Sequence, residues 1–382
     1  MKNGFIIPVI LVVFGGLAAV FFAFGNSNSV VNGDSVYDDN VATTTPQIQA
    51  QNFKEETKPV ISHVKTPDIM RAVYSTMWSA SSKQKRAYLE DLLDKTDLNS
   101  IVIDVKGSGG EMIFDNFSDI SSFINELHQK GVYVIARIVV FQDSGLAKTN
   151  PEFSLKKQDG SVWRDRKGFA WSDPASLGAW DHVVGVAKKS IDAGFDEINY
   201  DYIRFPTDGN LQSIVYPAWD GVEDKSDVIK RFVAYSKEKL KAYSLETKLS
   251  LDIFGYTFLN VSGLGIGQKL TDVLDNFDYI YPMVYPSHYS AGNFGFTNPA
   301  DHPYEVVSQT LQKGLDSLGE RKEEAKGKIR PWIQVFDLGA KYTPAMIEAQ
   351  IKATYDVLGE TNTGWLMWSP SNNYDEAFSI KL

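Results

Sequence analysis

No cysteine occurs in the 382 residues. That excludes disulfide staples, thiolate nucleophiles and thiolate metal sites, so the chain must hold itself together through a packed core. Histidine is scarce: His63, His128, His182, His288 and His302 stand apart, with no HxxxH or HxH pair. A catalytic zinc site is therefore not expected, nor a polysaccharide deacetylase built on one, and no metal or cofactor is assigned. The glycine cluster at 107–110 lacks the Lys-Ser/Thr of a phosphate-binding loop, and no GxSxG nucleophile elbow is present. Basic excess is missing too. The net charge of −10 argues against nucleic acid and against an anionic membrane face as partners.

Long hydrophobic runs are also absent, with one exception. Residues 5–24 carry no charge and follow Lys2, and about 20 apolar residues suffice to span a bilayer. A transmembrane anchor is predicted over 1–25, its short basic end cytoplasmic and the rest of the chain outside. Signal cleavage after Ala23-Phe24-Gly25, giving a secreted protein, is the competing expectation. Residues 26–67, rich in Ser, Thr, Asn and Gln without a period, read as a flexible linker. The remaining 68–382, in a chain that is 43% apolar, form the expected globular domain.

Within that domain, β-favouring apolar runs alternate with helical periods. Strands are expected at 71–77, 100–105, 133–140, 197–205, 248–254, 279–285, 329–336 and 364–369. Between them, apolar residues at three- and four-residue spacing predict helices near 83–94, 120–130, 179–193, 225–243, 267–276, 304–318 and 344–358. Eight such units imply a parallel sheet closed into a (β/α)8 TIM barrel. A doubly wound open sheet would want a glycine-rich first turn, and residues 75–82 contain no glycine.

A barrel keeps its chemistry at the C-terminal ends of its strands. The residues expected there are Asp104 and Lys106, Gln142 and Asp143, Asp201 and Arg204, Asp252, Tyr285 and His288, Gln334 and Asp337, and Trp368 and Ser369. The stretch 194–208, GFDEINYDYIRFPTD, stands out because Asn199, Asp201 and Arg204 interrupt a run that a buried parallel strand would keep apolar. Carboxylates supply the acid, base or nucleophile for cleaving an acetal, and aromatic rings stack on sugar faces. The long connection 141–176 carries Trp163 and Trp171 and is expected to be ordered, forming one wall of a cleft.

The loop NPEFSLKKQDGSVWRDRKGFAWSDPAS, the run GFDEINYDYIRFP and the run YIYPMVYPSHY resemble the glycosyl hydrolase domain family known as domain of unknown function 4015, over about 68–380. The resemblance implies a TIM barrel of the broad glycoside hydrolase group, hence a glycosidase acting on a polysaccharide or oligosaccharide. The fourth strand also looks like the chitinase-type motif DGxDxDxE, with Asp196, Asn199 and Asp201 at its three aspartate positions. Ile203 stands where the motif's glutamate would be, so chitinase chemistry is not expected. Asp201 is then expected to be the nucleophile and Asp252, one strand on, the general acid/base, with Asp104 and Asp337 in reserve. Arg204 is expected to hold Asp201 ionised, Asn199 and Asp196 to support it, and Lys106 to pair with Asp104. Tyr285, His288, Gln334, Trp368, Trp163 and Trp171 are the expected sugar contacts. The alternative is a surface-anchored barrel that binds glycan without cleaving it.

Overall fold

The structure, a computed structural model, describes residues 63–117 and 119–380. The expected anchor at 1–25 and the linker up to residue 62 lie outside the described residues. Among those described, no helix is long and apolar enough to cross a membrane.

Eight parallel strands close into a barrel in chain order. They are β1 (Met70–Ser75), β2 (Ser100–Lys106), β3 (Tyr133–Val139), β4 (Glu197–Asp201), β5 (Lys248–Phe254), β6 (Tyr279–Met283), β7 (Trp332–Gln334) and β8 (Gly364–Trp368). The principal helices between them are α1 (Lys83–Lys95), α2 (Ile120–Gln129), α3 (Leu177–Ala193), α4 (Lys225–Lys241), α5 (Leu270–Asn276), α6 (Pro303–Ser317) and α7 (Pro344–Leu358). Helix α3 shows how local sequence sets the boundaries. The Ser176 hydroxyl accepts from the Ala179 N–H at its start, and Gly194 ends it at φ 109°, where a side chain would be strained.

Because strand side chains alternate, each strand feeds two cores. The outward set, including Ile101, Ile103, Ile198, Leu251 and Ile253, packs against the helices. The inward set fills the barrel. Met70, Ala72, Tyr74, Val102, Tyr133, Ile135, Tyr281, Trp332 and Leu366 form one buried cluster. Polar residues share this interior in two places. At the base, buried Glu197 accepts from Tyr133 Oη (3.1 Å) and Tyr281 Oη and lies 3.7 Å from Arg330. The other polar group is at the opposite end and is the candidate site.

Residues 63–67, expected to belong to the linker, already engage the barrel base. Val64 N donates to Asp196 Oδ1 (3.0 Å), His63 Nδ1 lies 3.1 Å from the same oxygen, and Thr66 donates to Tyr133 Oη (3.2 Å). Asp196 also accepts from Val134 N and meets His128 Nε2 at 2.9 Å. Asp196 thus anchors the base and does not support the site at the other end, contrary to the expectation.

Candidate active site

Strand β4 delivers Glu197, Asn199 and Asp201 to the interior and Ile198 and Tyr200 to the helix layer, where Tyr200 Oη meets Ser236 Oγ at 2.7 Å. The strand ends at Asp201, four residues before the expected end at 205. Tyr202 adopts φ 53°, a left-handed conformation costing an ordinary residue roughly 1–2 kcal/mol, and its N–H turns back to Asp201 Oδ1 at 2.6 Å. The turn that stops the strand therefore also fixes the carboxylate.

The organising residue is Arg137 on β3. In register, Arg137 lies opposite Asp104 of β2 and Asn199 of β4. Its Nη1 donates to Asp104 Oδ1 (2.5 Å), its Nη2 to Asp201 Oδ2, and its Nε lies 3.4 Å from Asp252 Oδ2. Three carboxylates from three strands thus share one buried guanidinium. Contact with the same planar group keeps Asp201 and Asp252 oxygens within roughly 8 Å of each other, inside the span over which paired carboxyl groups cleave glycosides. Depth grades across the set: the side chain of Asp104 is 13% exposed, that of Asp201 7% and that of Asp252 2%.

One cation cannot hold three carboxylates ionised. Burial, with Asp201's negative charge adding to it, pushes Asp252 up to about 8, and Arg137 only partly opposes the rise. Burial also raises Asp104 above the usual carboxylate range, against Arg137 and the Tyr74 hydroxyl, which donates to its Oδ2 at 2.5 Å. Burial works against the charge on Arg137, but Asp104 and Asp201 outweigh it and hold the guanidinium protonated. At neutral pH Asp252 is therefore a carboxylic acid. Its Oδ1 accepts from both Trp332 Nε1 (2.7 Å) and Asn199 Nδ2 (3.1 Å), so its proton belongs on Oδ2, pointing away from Arg137 while a lone pair of that oxygen faces the Arg137 Nε–H (3.4 Å).

Aromatic rings wall this cluster. Trp368 stacks on Tyr74 at 3.9 Å between centroids and meets Trp332 edge-on at 5.5 Å, and the Arg137 guanidinium lies 5.2 Å from the Trp368 ring. Tyr285 lies 6.4 Å from Trp368, near enough for Asp252 and Asp201 to raise its hydroxyl far above the usual range, after burial as the main cause.

Of the expected site residues, Asp201, Asp252, Asp104, Asn199, Trp368 and Tyr285 come together here. Others do not. Arg204 makes no ion pair with Asp201; Arg137 holds that place. Lys106 pairs with Asp143 (2.8 Å) and donates to Val139 O, because a register shift in β2 between Asp104 and Lys106 turns the lysine away from Asp104. Asp337 is exposed and caps its own loop by accepting from Tyr342 N. Both faces of the Gln334 amide are engaged, accepting from Ser287 N and donating to Phe336 O, so it holds the loop that carries His288. His288 packs beside Tyr285 and Phe336, and burial lowers its pKa to about 4, leaving it neutral.

The expected tryptophan platforms in the long connection are also corrected. Trp163 is 1% exposed and donates to Asn210 O, and Trp171 is 2% exposed and donates to Asp165 Oδ2. They join the main buried core and anchor an ordered lobe, closed by antiparallel bridges such as Gln142–Trp171 and Lys156–Val215. Arg137 was not expected at all, although it is the only charge inside the apolar run YVIARIV, and that was its signal.

A closed eight-stranded parallel barrel with carboxylates gathered at the C-terminal ends of β2, β4 and β5 defines the class as a TIM-barrel hydrolase. The chain belongs to the family described as "Putative glycosyl hydrolase domain", which it matches over residues 72–374, and it is accordingly a glycosidase. No curated protein matches the sequence. Among solved structures, the PgaB (BpsB) glycoside hydrolase domain from Bordetella bronchiseptica is similar at 13% identity and TM-score 0.59, over 81% of this chain and 97% of that one. TtGalA, the α-galactosidase from Thermus thermophilus in complex with stachyose, is similar at 12% identity and TM-score 0.52, over 84% and 67%. α-L-Fucosidase isoenzyme 2 from Paenibacillus thiaminolyticus is similar at 16% identity and TM-score 0.51, over 81% and 47%. At these identities the likeness is one of fold.

Proposed function

We propose that the protein hydrolyses a glycosidic bond in an extracellular or cell-wall polysaccharide, with Asp201 as nucleophile and Asp252 as general acid/base. The observation that carries this reading is that both carboxyl groups touch the same guanidinium while burial and mutual repulsion keep a proton on Asp252. Asp201 attacks the anomeric carbon as the Oδ2 proton of Asp252 passes to the departing glycosidic oxygen. The resulting carboxylate then takes a proton from the water that cleaves the glycosyl ester, restoring both groups. Neighbouring strands lie about 4.8 Å apart, which suits the roughly 5–5.5 Å of retaining enzymes better than the wider inverting gap. The half-buried Trp368, backed by the buried Tyr74 ring, offers an apolar face beside the carboxylates for a sugar ring. The outward location rests on the charge-free run at 5–24.

The test is a screen of cell-wall and capsular glycans for reducing ends released by the full chain, repeated with Asp201→Asn. Release by the wild type and none by the variant supports the reading. Binding of a glycan without release by either protein would make this a glycan-binding barrel.

A further inference from the structure

Arg204 leaves a question that the catalytic cluster does not absorb. It is only 8% exposed, yet among the described residues no carboxylate lies within ion-pair distance of it. A buried cation is normally matched by a buried anion. Its Nη1 is satisfied internally, donating to Phe205 O (3.1 Å) and Thr207 Oγ1 (3.3 Å). Among the described residues Nε and Nη2 find no hydrogen-bond partner, and the residue keeps a small part of its surface exposed. These two nitrogens form the side-on edge of the guanidinium, the fork that grips a carboxylate with two parallel N–H bonds.

The surroundings hold that fork in place. The guanidinium lies 4.9 Å from the Trp171 ring, 5.0 Å from Tyr202 and 4.8 Å from Phe254. Tyr202 directly follows Asp201, and Phe254 lies two residues beyond Asp252, so Arg204 is fixed just above the gap between the two strands that carry the carboxyl pair. Burial lowers its pKa despite longer-range attraction from Tyr202, Asp201, Asp208 and Asp165, which leaves it a cation short of charge compensation. Arg137 is engaged by Asp104, Asp201 and the Asp252 carboxyl, whereas Arg204, at the same part of the rim, has an open edge among the described residues.

We propose that Arg204 is a substrate-recognition residue that binds the carboxylate of a uronic acid unit seated beside Asp201, so that the glycan cleaved is an acidic one. This rests on the reading of the cluster as a glycosidase site. It also gives Trp171 and Tyr202 a role: they brace the cation that reads the sugar without touching the sugar themselves.

The experiment compares binding of uronic-acid-containing oligosaccharides with their carboxyl-reduced counterparts, which differ only in the charge and its two oxygens. Full-length Asp201→Asn protein is used, titrated by calorimetry at moderate salt. The acidic form should bind about tenfold or more tightly than its reduced counterpart, as expected for a bidentate charged contact. Adding Arg204→Gln should bring that ratio to about one, and Arg204→Lys, which keeps the charge but not the fork, should leave an intermediate ratio. Thermal melting of each variant checks that it is folded. Equal affinity for the acidic and reduced forms in the parent protein, which needs no Arg204 variant, overturns the proposal. So does an acid preference that survives Arg204→Gln. If the acid preference holds but wild-type protein releases no product from the same oligosaccharides, the glycosidase reading fails and the recognition site stands. If neutral glycans are cleaved with no acid preference, the reverse is true.

Discussion

Replacing Asp252 with asparagine isolates the protonated carboxyl on which the mechanism depends. In the folded protein Asp252 titrates near 8, and in the unfolded chain near the ordinary 3.8. Between those values the folded state holds a proton that the unfolded state has released, so its contribution to stability is complete below about pH 4 and is lost as pH rises towards 8. At about 1.4 kcal/mol per unit, the wild type should lose roughly 2–3 kcal/mol between pH 5 and pH 7 from this group alone, and about 5 kcal/mol in all by pH 8. Asparagine reproduces the neutral form. Its oxygen can accept from Trp332 Nε1 and Asn199 Nδ2 as Asp252 Oδ1 does, and its amide takes the place of the protonated oxygen, giving up only the long 3.4 Å contact from Arg137 Nε. The variant should therefore match the wild type near pH 4 and exceed it increasingly from pH 5 towards pH 8, measured by urea unfolding across that range. Titrating groups remote from the cluster are common to both proteins and cancel in the difference. Parallel stability curves would show that Asp252 titrates normally and would remove it as the acid.

Three further outcomes follow from the same cluster and its surroundings. Hydrolysis should fall on the alkaline side with an apparent pKa near 8, the point at which Asp252 loses its proton, and Asp252→Asn should lower kcat by roughly 10²–10⁴ with that alkaline limb gone. Arg137→Met leaves Asp104 and Asp201 without their buried counter-charge, so stability at pH 7 should drop by about 3–5 kcal/mol and partly recover at pH 5 as Asp104, which burial already raises, takes up a proton, read by denaturant unfolding. Lys106→Met strands buried Asp143, with a similar loss expected. Lys106 helps hold Asp143 near 2, below its unfolded value, so the wild-type advantage should be present above pH 4 and vanish as pH falls towards 2, measured the same way.

The barrel was legible because two periods alternate along the chain. Seven of the eight strands begin within a residue of where β-favouring runs begin, and α3 and α4 keep their three- and four-residue apolar spacing. Strand β7 starts three residues later than expected because Ile329 and Arg330 stand outside the regular ladder: Ile329 forms a single bridge with Ile280, and Arg330 turns to Glu197. The carboxylates were legible because charge inside an apolar strand is conspicuous at Asp104, Asp201 and Asp252. Their partners were not. Sequence proximity suggested Arg204 for Asp201 and Lys106 for Asp104, but inward residues meet across strands, so the counter-charge comes from β3. The tryptophans of the long connection gave no sign of which way they face. Their indole N–H groups find Asn210 O and Asp165 inside the lobe, and those partners lie 47 and 6 residues away.

The central claim is that Asp201 attacks a sugar, and the most direct measurement follows any glycan found to be cleaved. Wild-type and Asp201→Asn proteins are compared for both affinity and rate of product release on that glycan. The account predicts that the variant still binds it, while release falls by at least about 10³-fold. An asparagine variant that releases product at the wild-type rate would contradict it.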